Sequence, residues 1–153
     1  PPPPTPQNNT ETKSSAASDV YKRQLLDNAD EIPKILAATV VYALAGAPLA
    51  LLISTVASRK AAATGIYLGV LFVGTGLAAA LVEATSVPGS RYAALLSIGD
   101  HPNFVRDWIF GLTGSSETVM AGAGFDPWVS LEVIAAVAAA SSIFVVWRYR
   151  RLM

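Results

Sequence analysis

The sequence predicts an all-α, polytopic membrane protein with three transmembrane helices plus an external amphipathic or re-entrant helix. Two observations predict this fold. Of the 153 residues, 52% are hydrophobic and only 14% are charged, whereas soluble domains carry about one quarter charged residues. Three apolar runs are each long enough to cross a hydrocarbon core of about 30 Å as a helix. These runs are apolar on every side, while the helices of a soluble bundle keep a polar face.

A polar tail precedes the apolar runs. Residues 1–18 are rich in Pro, Ser, Thr and Asn, which is typical of a disordered segment. Residues 19–24 read DVYKRQ, and codons for this hexapeptide resemble a transposon end sequence that is used to build sequencing libraries. We therefore expect residues 1–24 to be a disordered, artefactual tail ahead of a transmembrane domain over residues 25–153. A natural polar linker is the alternative interpretation.

The predicted transmembrane domain contains three spans and one long external segment. The spans cover residues 35–57, 61–83 and 127–147, and the external segment covers residues 84–126. Pro48 lies in the middle of the first span, where it removes a backbone hydrogen bond and kinks the helix. Such a kink can serve gating or can be purely structural.

Small residues recur along one face of the second span. They are Gly65, Gly69, Gly76 and Ala80. Spacings of four, seven and four residues stack these small side chains, so that another helix can approach closely. This seam predicts either plain helix association or a sliding surface in a transporter.

The distribution of charge predicts the orientation of the chain. Basic residues without any acid gather on one side of the spans: Arg59, Lys60, Arg148, Arg150 and Arg151. The other side receives most of the acids together with three bases: Asp27, Asp30, Glu31, Asp100, Asp107, Glu117, Asp126, Lys34, Arg91 and Arg106. Cytoplasmic loops carry an excess of Lys and Arg. The sequence therefore predicts a multi-pass protein of a prokaryotic plasma membrane with a cytoplasmic C-terminus.

The external segment contains a short amphipathic pattern. Apolar residues recur at i, i+3, i+4 and i+7, which predicts a helix with one apolar face: Val105, Trp108, Ile109 and Leu112. Asp100 is a candidate cap for this helix, with Pro102 in its first turn and Asn103, Arg106 and Asp107 on other faces. We expect the helix to lie at the outer membrane surface or to dip back as a re-entrant hairpin with residues 92–98.

The end of the external segment differs in composition. Residues 113–124 are rich in Gly and Ser, and we expect them to be mobile. Asp126 followed by Pro127 predicts the N-terminus of the last helix, because Asp is a preferred N-cap and Pro is favoured in the first turn.

Two acids border the spans. Glu83 and Glu132 are functional candidates, because an unpaired acid inside a membrane is costly. Both lie near the external ends, where they can reach water or pair with Arg91 or Arg106. His101 beside Asp100 is compatible with a proton-handling or metal pair, or with a solvated capping loop.

Several classes of chemistry are disfavoured by the sequence. It contains no phosphate-binding GxxxxGK[ST] loop, no HExxH and no GxSxG. The absence of Cys excludes disulfides and iron–sulfur clusters, and the single His argues against a metal site. Eleven basic and eleven acidic residues offer no electrostatic case for nucleic acid. We therefore expect no catalytic, cofactor or metal site, and no enzyme activity.

Three stretches of this chain resemble segments of a known family of membrane proteins. They read "APLALLISTVASRKAAATGIYLGVLF", "YAALLSIGDHPNFVRDWIFG" and "WVSLEVIAAVAAASSIFVVWRYRRLM". In order, they resemble the fourth and fifth helices, the external segment, and the last helix with its basic tail in ABC-2 type permeases, the membrane subunits of ATP-binding cassette exporters. The resemblance implies a C-terminal fragment with the last three transmembrane helices. The family's first three helices and its larger cytoplasmic loop have no counterpart here.

The resemblance also implies partners and roles. A separate ATPase subunit would drive the permease helices between inward- and outward-facing packings, together with a second permease copy or half and with membrane lipid. Ser58, Arg59 and Lys60 would form a secondary contact with the ATPase, and the helix around Trp108 would help to close the outer gate. Alternatively, Arg59 and Lys60 only set the topology.

Two other classes of function remain open. The first is a small three-span membrane interaction or accessory protein, in which residues 1–24 are a genuine tail. The second is a membrane enzyme, which would need a buried polar cluster around Glu83 or Glu132.

Overall fold

A computed structural model describes residues 28–84 and 88–151. The described residues fall into two compact units, which divide after Ile35. In the first unit, a turn leads into helix α1 (Glu31–Val56), and the Lys34 ammonium lies 2.8 Å from a carboxylate oxygen of Glu31. The tail that was predicted to be artefactual, residues 1–24, lies outside the described residues.

The predicted fold class is confirmed. The described residues form helices and no strands, and three of the helices are long and apolar enough to cross a membrane. These helices are α1, α2 (Lys60–Glu83) and α5 (Pro127–Arg150). Helix α1 begins before the predicted start at residue 35, and α5 continues past residue 147.

Local sequence explains the boundaries of the long helices. The Asp126 carboxylate accepts a hydrogen bond of 3.0 Å from the backbone N–H of Trp128, and Pro127 occupies the first turn of α5, as predicted. Pro48 lies inside α1 without ending it. Only a short connection separates Val56 from the start of α2 at Lys60, which makes α1 and α2 consecutive spans joined by a tight turn.

The segment between α2 and α5 is helical for much of its length. It contains a 3₁₀ helix (Ser90–Leu96), helix α3 (His101–Ile109), a second 3₁₀ helix (Thr113–Ser115) and helix α4 (Val119–Gly122). We call residues 90–109 the hairpin. Its 3₁₀ arm packs against α2, and its α3 arm packs against α5.

The tip of the hairpin approaches the backbone of α2 closely. A Cβ atom at Gly99 would lie 3.2 Å from the carbonyl oxygen of Leu71 and 3.3 Å from the hydroxyl oxygen of Thr75. A Cβ atom at Gly74 would lie 3.3 Å from the carbonyl oxygen of Leu96. These α2 residues precede the helix end by roughly 12–18 Å, at 1.5 Å per residue. The segment thus folds as a hairpin whose tip lies alongside α2 rather than beyond the end of that helix.

Each of the two apolar clusters of the second unit contains a buried residue of α3. In one, Val105 packs with Ala45 of α1 and Ile134 of α5. In the other, Phe104 packs with Ala94 and Met120. Met120 of α4 is fully buried. Residues 113–124 are therefore partly folded against the hairpin, in contrast to the mobile segment that was expected.

Candidate functional site

The hairpin makes polar side-chain bonds to all three long helices. The pairs are Asn103 with Tyr42 of α1, Ser97 with Thr75 of α2, and His101 with Ser130 of α5. Because the bonds reach three different helices, they fix the position of the hairpin relative to all of them. We treat the hairpin and these three anchors as the candidate functional site.

His101 is the most deeply buried anchor. Its side chain is 1% exposed, and that of Ser130 is fully buried. The ring Nε2 lies 3.2 Å from the carbonyl oxygen of Leu95, and Nδ1 lies 3.0 Å from the Ser130 hydroxyl oxygen. A carbonyl only accepts, so Nε2 donates to Leu95 and the neutral ring accepts from Ser130 at Nδ1.

Burial also sets the charge state of this histidine. It lowers the pKa of His101 below the ordinary 6.5, against smaller opposing effects of the Leu95 carbonyl and the nearby Asp100 carboxylate. The ring therefore stays neutral at pH 7. The expectation of a solvated loop around His101 is wrong, because the ring joins the two arms of the hairpin to α5.

The α2 anchor is a short chain of hydroxyl groups. The Ser97 hydroxyl donates to Thr75 Oγ1 at 3.1 Å, and the Thr75 hydroxyl donates to the Leu71 carbonyl at 2.7 Å. Ser97 is fully buried. Since Leu71 and Thr75 are also the residues that Gly99 approaches, this anchor holds the tip of the hairpin.

The α1 anchor joins Tyr42 to Asn103. The Tyr42 hydroxyl donates to Asn103 Oδ1, and Asn103 Nδ2 donates to the Gly99 carbonyl at 3.3 Å. Asn103 thus links α1 to the turn of the hairpin. Nothing in the sequence pattern predicts this pair, because its members lie far apart in the chain.

Polar residues of α3 differ from their predicted placement. Asp107 is only 6% exposed. Its carboxylate accepts two hydrogen bonds from the Arg106 guanidinium, at 2.6 and 2.9 Å, which offsets the cost of burying the charge. The Asp100 side chain does not cap α3. Its carboxylate instead accepts from the backbone N–H of Val119 at 2.7 Å, at the first residue of α4.

The apolar face predicted for the external gate helix is observed in part. Val105 is buried, and Ile109 is half-buried against the same apolar cluster. Trp108 meets Trp128 of α5 edge to face, with ring centroids 5.0 Å apart. Helix α3 ends at Ile109, so Leu112 lies beyond it and is exposed.

The two membrane-border acids are exposed. Glu83 is the last residue of α2, and Glu132 lies in the second turn of α5. Neither forms an ion pair within the part of the chain that the structure describes. Arg106 pairs with Asp107, and Arg91 lies over the Tyr92 and Phe125 rings instead, at 5.0 and 5.2 Å from their centroids.

The small-residue seam faces open space. A Cβ atom at Gly65, Gly69 or Gly76 would meet nothing within 4 Å, and Ala80 is exposed. The close approaches occur at other glycines, namely Gly46, Gly74 and Gly99. No repeating spacing marks these three, so sequence reasoning missed them. Ser58, Arg59 and Lys60 are likewise exposed, at the connection between α1 and α2.

No group of residues that could hold a metal ion occurs in residues 28–84 and 88–151. Comparisons with family models, with curated proteins and with solved structures found no match to this chain. A functional assignment therefore depends on the chain's own sequence and geometry.

Proposed function

We propose that the chain is a membrane-spanning permease subunit of an ABC-2 type ATP-binding cassette exporter. In this proposal it moves substrate by helix rearrangement, which a separate ATPase subunit drives. The hairpin is the observation that carries the proposal. A hairpin that bonds to all three long helices is suited to close one side of a path while the helices move.

The energies of the anchors are compatible with such movement. Each anchor is a single hydrogen bond, and a typical intramolecular hydrogen bond contributes only about 0.5–1.5 kcal/mol net. Three such bonds can hold the hairpin closed without making its release prohibitive. A change in the relative positions of α1, α2 and α5 would break them one at a time.

The connection between α1 and α2 is the proposed contact with the ATPase. Arg59 and Lys60 are exposed, and neither forms an ion pair within the described ranges. By the positive-inside rule this side is cytoplasmic, where the ATPase would be. A force applied at this tight turn would move α1 and α2 together. A second permease copy or half and membrane lipid would cover the exposed helix faces.

Neutralising the two basic residues tests the ATPase contact. We expect R59Q/K60Q to lower the ATPase activity that the permease stimulates in an ATPase encoded beside its gene, without reducing membrane insertion. R148Q/R150Q is the matched control, because it removes two positive charges from the same side at exposed positions of α5. Equal stimulation by both variants and the wild type would refute the contact.

Co-purification distinguishes the proposed function from its alternative. An exporter subunit should bind the neighbouring cassette ATPase in detergent and stimulate its ATP hydrolysis. An accessory protein should do neither, and failure of the wild-type chain in both assays would favour that class.

The orientation can be tested independently. The chain contains no Cys, so a single introduced cysteine gives an unambiguous label. We expect a membrane-impermeant maleimide to label Ser115→Cys in intact cells and Ser58→Cys only after permeabilisation, as both positions are exposed. The reverse pattern would place the C-terminus outside.

A further inference from the structure

Two clefts follow one another between α1 and α2. The first, here the tip cleft, has a volume of about 150 Å³ and lies beneath the tip of the hairpin; its lining includes Tyr42, Gly46, Tyr67, Leu71, Gly99 and Pro102. The second, here the inner cleft, has a volume of about 190 Å³ and is lined by Ala50, Ile53, Ala63, Thr64 and Tyr67. Tyr67 borders both clefts.

The inner cleft lies toward the helix ends that carry Arg59, Lys60 and the arginines of residues 148–151, here called the basic side. Ile53 is close to the end of α1, and Ala63 is close to the start of α2. On both helices, the tip cleft lies farther from the basic side than the inner cleft does, beneath the tip of the hairpin. The two clefts thus lead from the basic side to the hairpin, with the Tyr67 ring at the boundary between them.

The linings of both clefts carry no charge. No Asp, Glu, Lys or Arg is among the described residues that line them. Placing an ion in such surroundings without a partner is strongly unfavourable. A molecule with many hydroxyl groups is also disfavoured, because few polar groups are present to satisfy it. The linings therefore select a molecule that is mostly apolar.

One polar group in the tip cleft is available to a ligand. The Tyr42 hydroxyl already donates to Asn103. The Tyr67 hydroxyl has no hydrogen-bond partner among the described residues, and it lies against α1 at Gly46, where an added Cβ would be 3.2 Å from it. This hydroxyl is accessible from the cleft rather than sealed off, so an acceptor on a ligand in the cleft can take its hydrogen bond.

We infer that the tip cleft binds a small apolar molecule, of about the size of a substituted benzene, that carries one hydrogen-bond acceptor for Tyr67. The size follows from the volume, since a dry cavity of about 150 Å³ holds a molecule such as benzene. This inference rests on the proposed function, because it makes this molecule, or the part of a larger one that enters the cleft, the cargo of the exporter.

A matched pair of probes tests the acceptor. Acetophenone carries a carbonyl oxygen, and 2-phenylpropene has the same shape with a methylene group in its place. Binding is measured by ligand-observed NMR on the purified chain in lipid nanodiscs, and empty nanodiscs correct for partition into lipid. We expect acetophenone to bind the wild type roughly three- to tenfold more tightly than 2-phenylpropene, as one net hydrogen bond allows.

Variants locate the site. Tyr67→Phe should abolish the preference for acetophenone while leaving 2-phenylpropene binding unchanged. Tyr149→Phe is the matched control, because Tyr149 lies exposed near the end of α5, outside both clefts, and it should bind as the wild type does. Gly46→Val should weaken both probes, since its side chain enters the cleft. Gel filtration and circular dichroism establish that each variant remains folded.

Three outcomes would contradict the inference. Equal binding of the two probes to the wild type, an unchanged preference in Tyr67→Phe, or no saturable binding above empty nanodiscs would each overturn the inference. The last result would mean that lipid acyl chains occupy the cleft. None of these measurements involves the ATPase, so failure here leaves the exporter assignment standing, whereas absence of ATPase stimulation refutes that assignment and leaves the binding result intact.

Discussion

The hairpin side and the basic side of this chain are packed differently. On the hairpin side, both apolar clusters are closed and the three helix anchors are bonded. On the basic side, α5 leaves Ile143 69% exposed and Val146 53% exposed, and α1 leaves Val56 59% exposed. The tight packing is thus concentrated where the hairpin enters between the long helices.

This difference indicates where stability and movement reside. The hairpin side has its own apolar contacts and hydrogen bonds, so it can fold as a unit within this chain. Val56, Ile143 and Val146 on the basic side are exposed within the described residues, and lipid or partner helices would cover them. In the proposed exporter, the basic side would repack when the ATPase acts, and the hairpin would respond through its anchors.

Two phenylalanines give the sharpest test of this comparison. Phe104 on the hairpin side is 3% exposed, and Phe72 on α2 is 73% exposed. We expect Phe104→Ala to lower the free energy of unfolding by about 3 kcal/mol, because it leaves a cavity in a closed cluster. Phe72→Ala should change it by less than about 0.5 kcal/mol. Titration of the purified chain with sodium dodecyl sulfate measures both, and similar losses would mean that the closed cluster contributes no more to stability than an exposed helix face does.

The second test compares Gly99, which lies against the backbone of α2, with Gly65, which faces open space. A side chain at Gly99 would press against the backbone of α2, whereas one at Gly65 would meet open space. Gly99→Val should destabilise the chain by about 1–3 kcal/mol, as overpacking does, and Gly65→Val should leave it within about 0.5 kcal/mol of the wild type. The same titration measures both variants. If Gly65→Val were the more harmful of the two, the seam would be the tighter contact.

The fold class was predictable from the sequence because it depends on composition and length. Three long apolar runs with at most one charged residue each predict spanning helices whatever their partners are. The start of α5 was also predictable, since Asp126 and Pro127 act within one turn. These features are local, and local chemistry determines them.

The site was much less predictable, because it depends on contacts between distant segments. The apolar spacing placed Val105 correctly, but it extended the helix to Leu112, which lies beyond the end of α3. His101 next to Asp100 resembled a solvated turn, whereas its partner Ser130 belongs to another helix. The spacing of small residues indicated Gly65, Gly69 and Gly76, although the close contacts are made by Gly74 and Gly99.

The bond between His101 and Ser130 provides a third test, confined to the hairpin side. In a double-mutant cycle with His101→Phe and Ser130→Ala, we expect a coupling free energy of about 1 kcal/mol, the net value of one hydrogen bond. Ser142→Ala is the control for Ser130→Ala, because Ser142 is an exposed serine of the same helix, and it should show no coupling to His101. Additive effects of His101→Phe and Ser130→Ala would mean that the contact contributes nothing to stability.

The pH dependence of stability gives the most specific test of the hairpin side. Burial lowers the pKa of His101 below 6.5 in the folded chain, so at acid pH the unfolded chain binds more protons at this position than the folded chain does. The contribution to stability is fully present above about pH 6.5 and is lost as the pH falls from there toward the lowered pKa. The slope is at most about 1.4 kcal/mol per pH unit.

Substitution of His101 isolates this contribution from that of the carboxylates. In His101→Gln the amide can still donate to Leu95 and accept from Ser130, but it does not titrate. Unfolding titrations of both proteins at pH 7.5 and 5.0 should show the larger loss in the wild type. Since Asp100, next to His101, is present in both, it cancels in the difference. An equal loss in the two proteins would mean that His101 can be protonated without disturbing the hairpin.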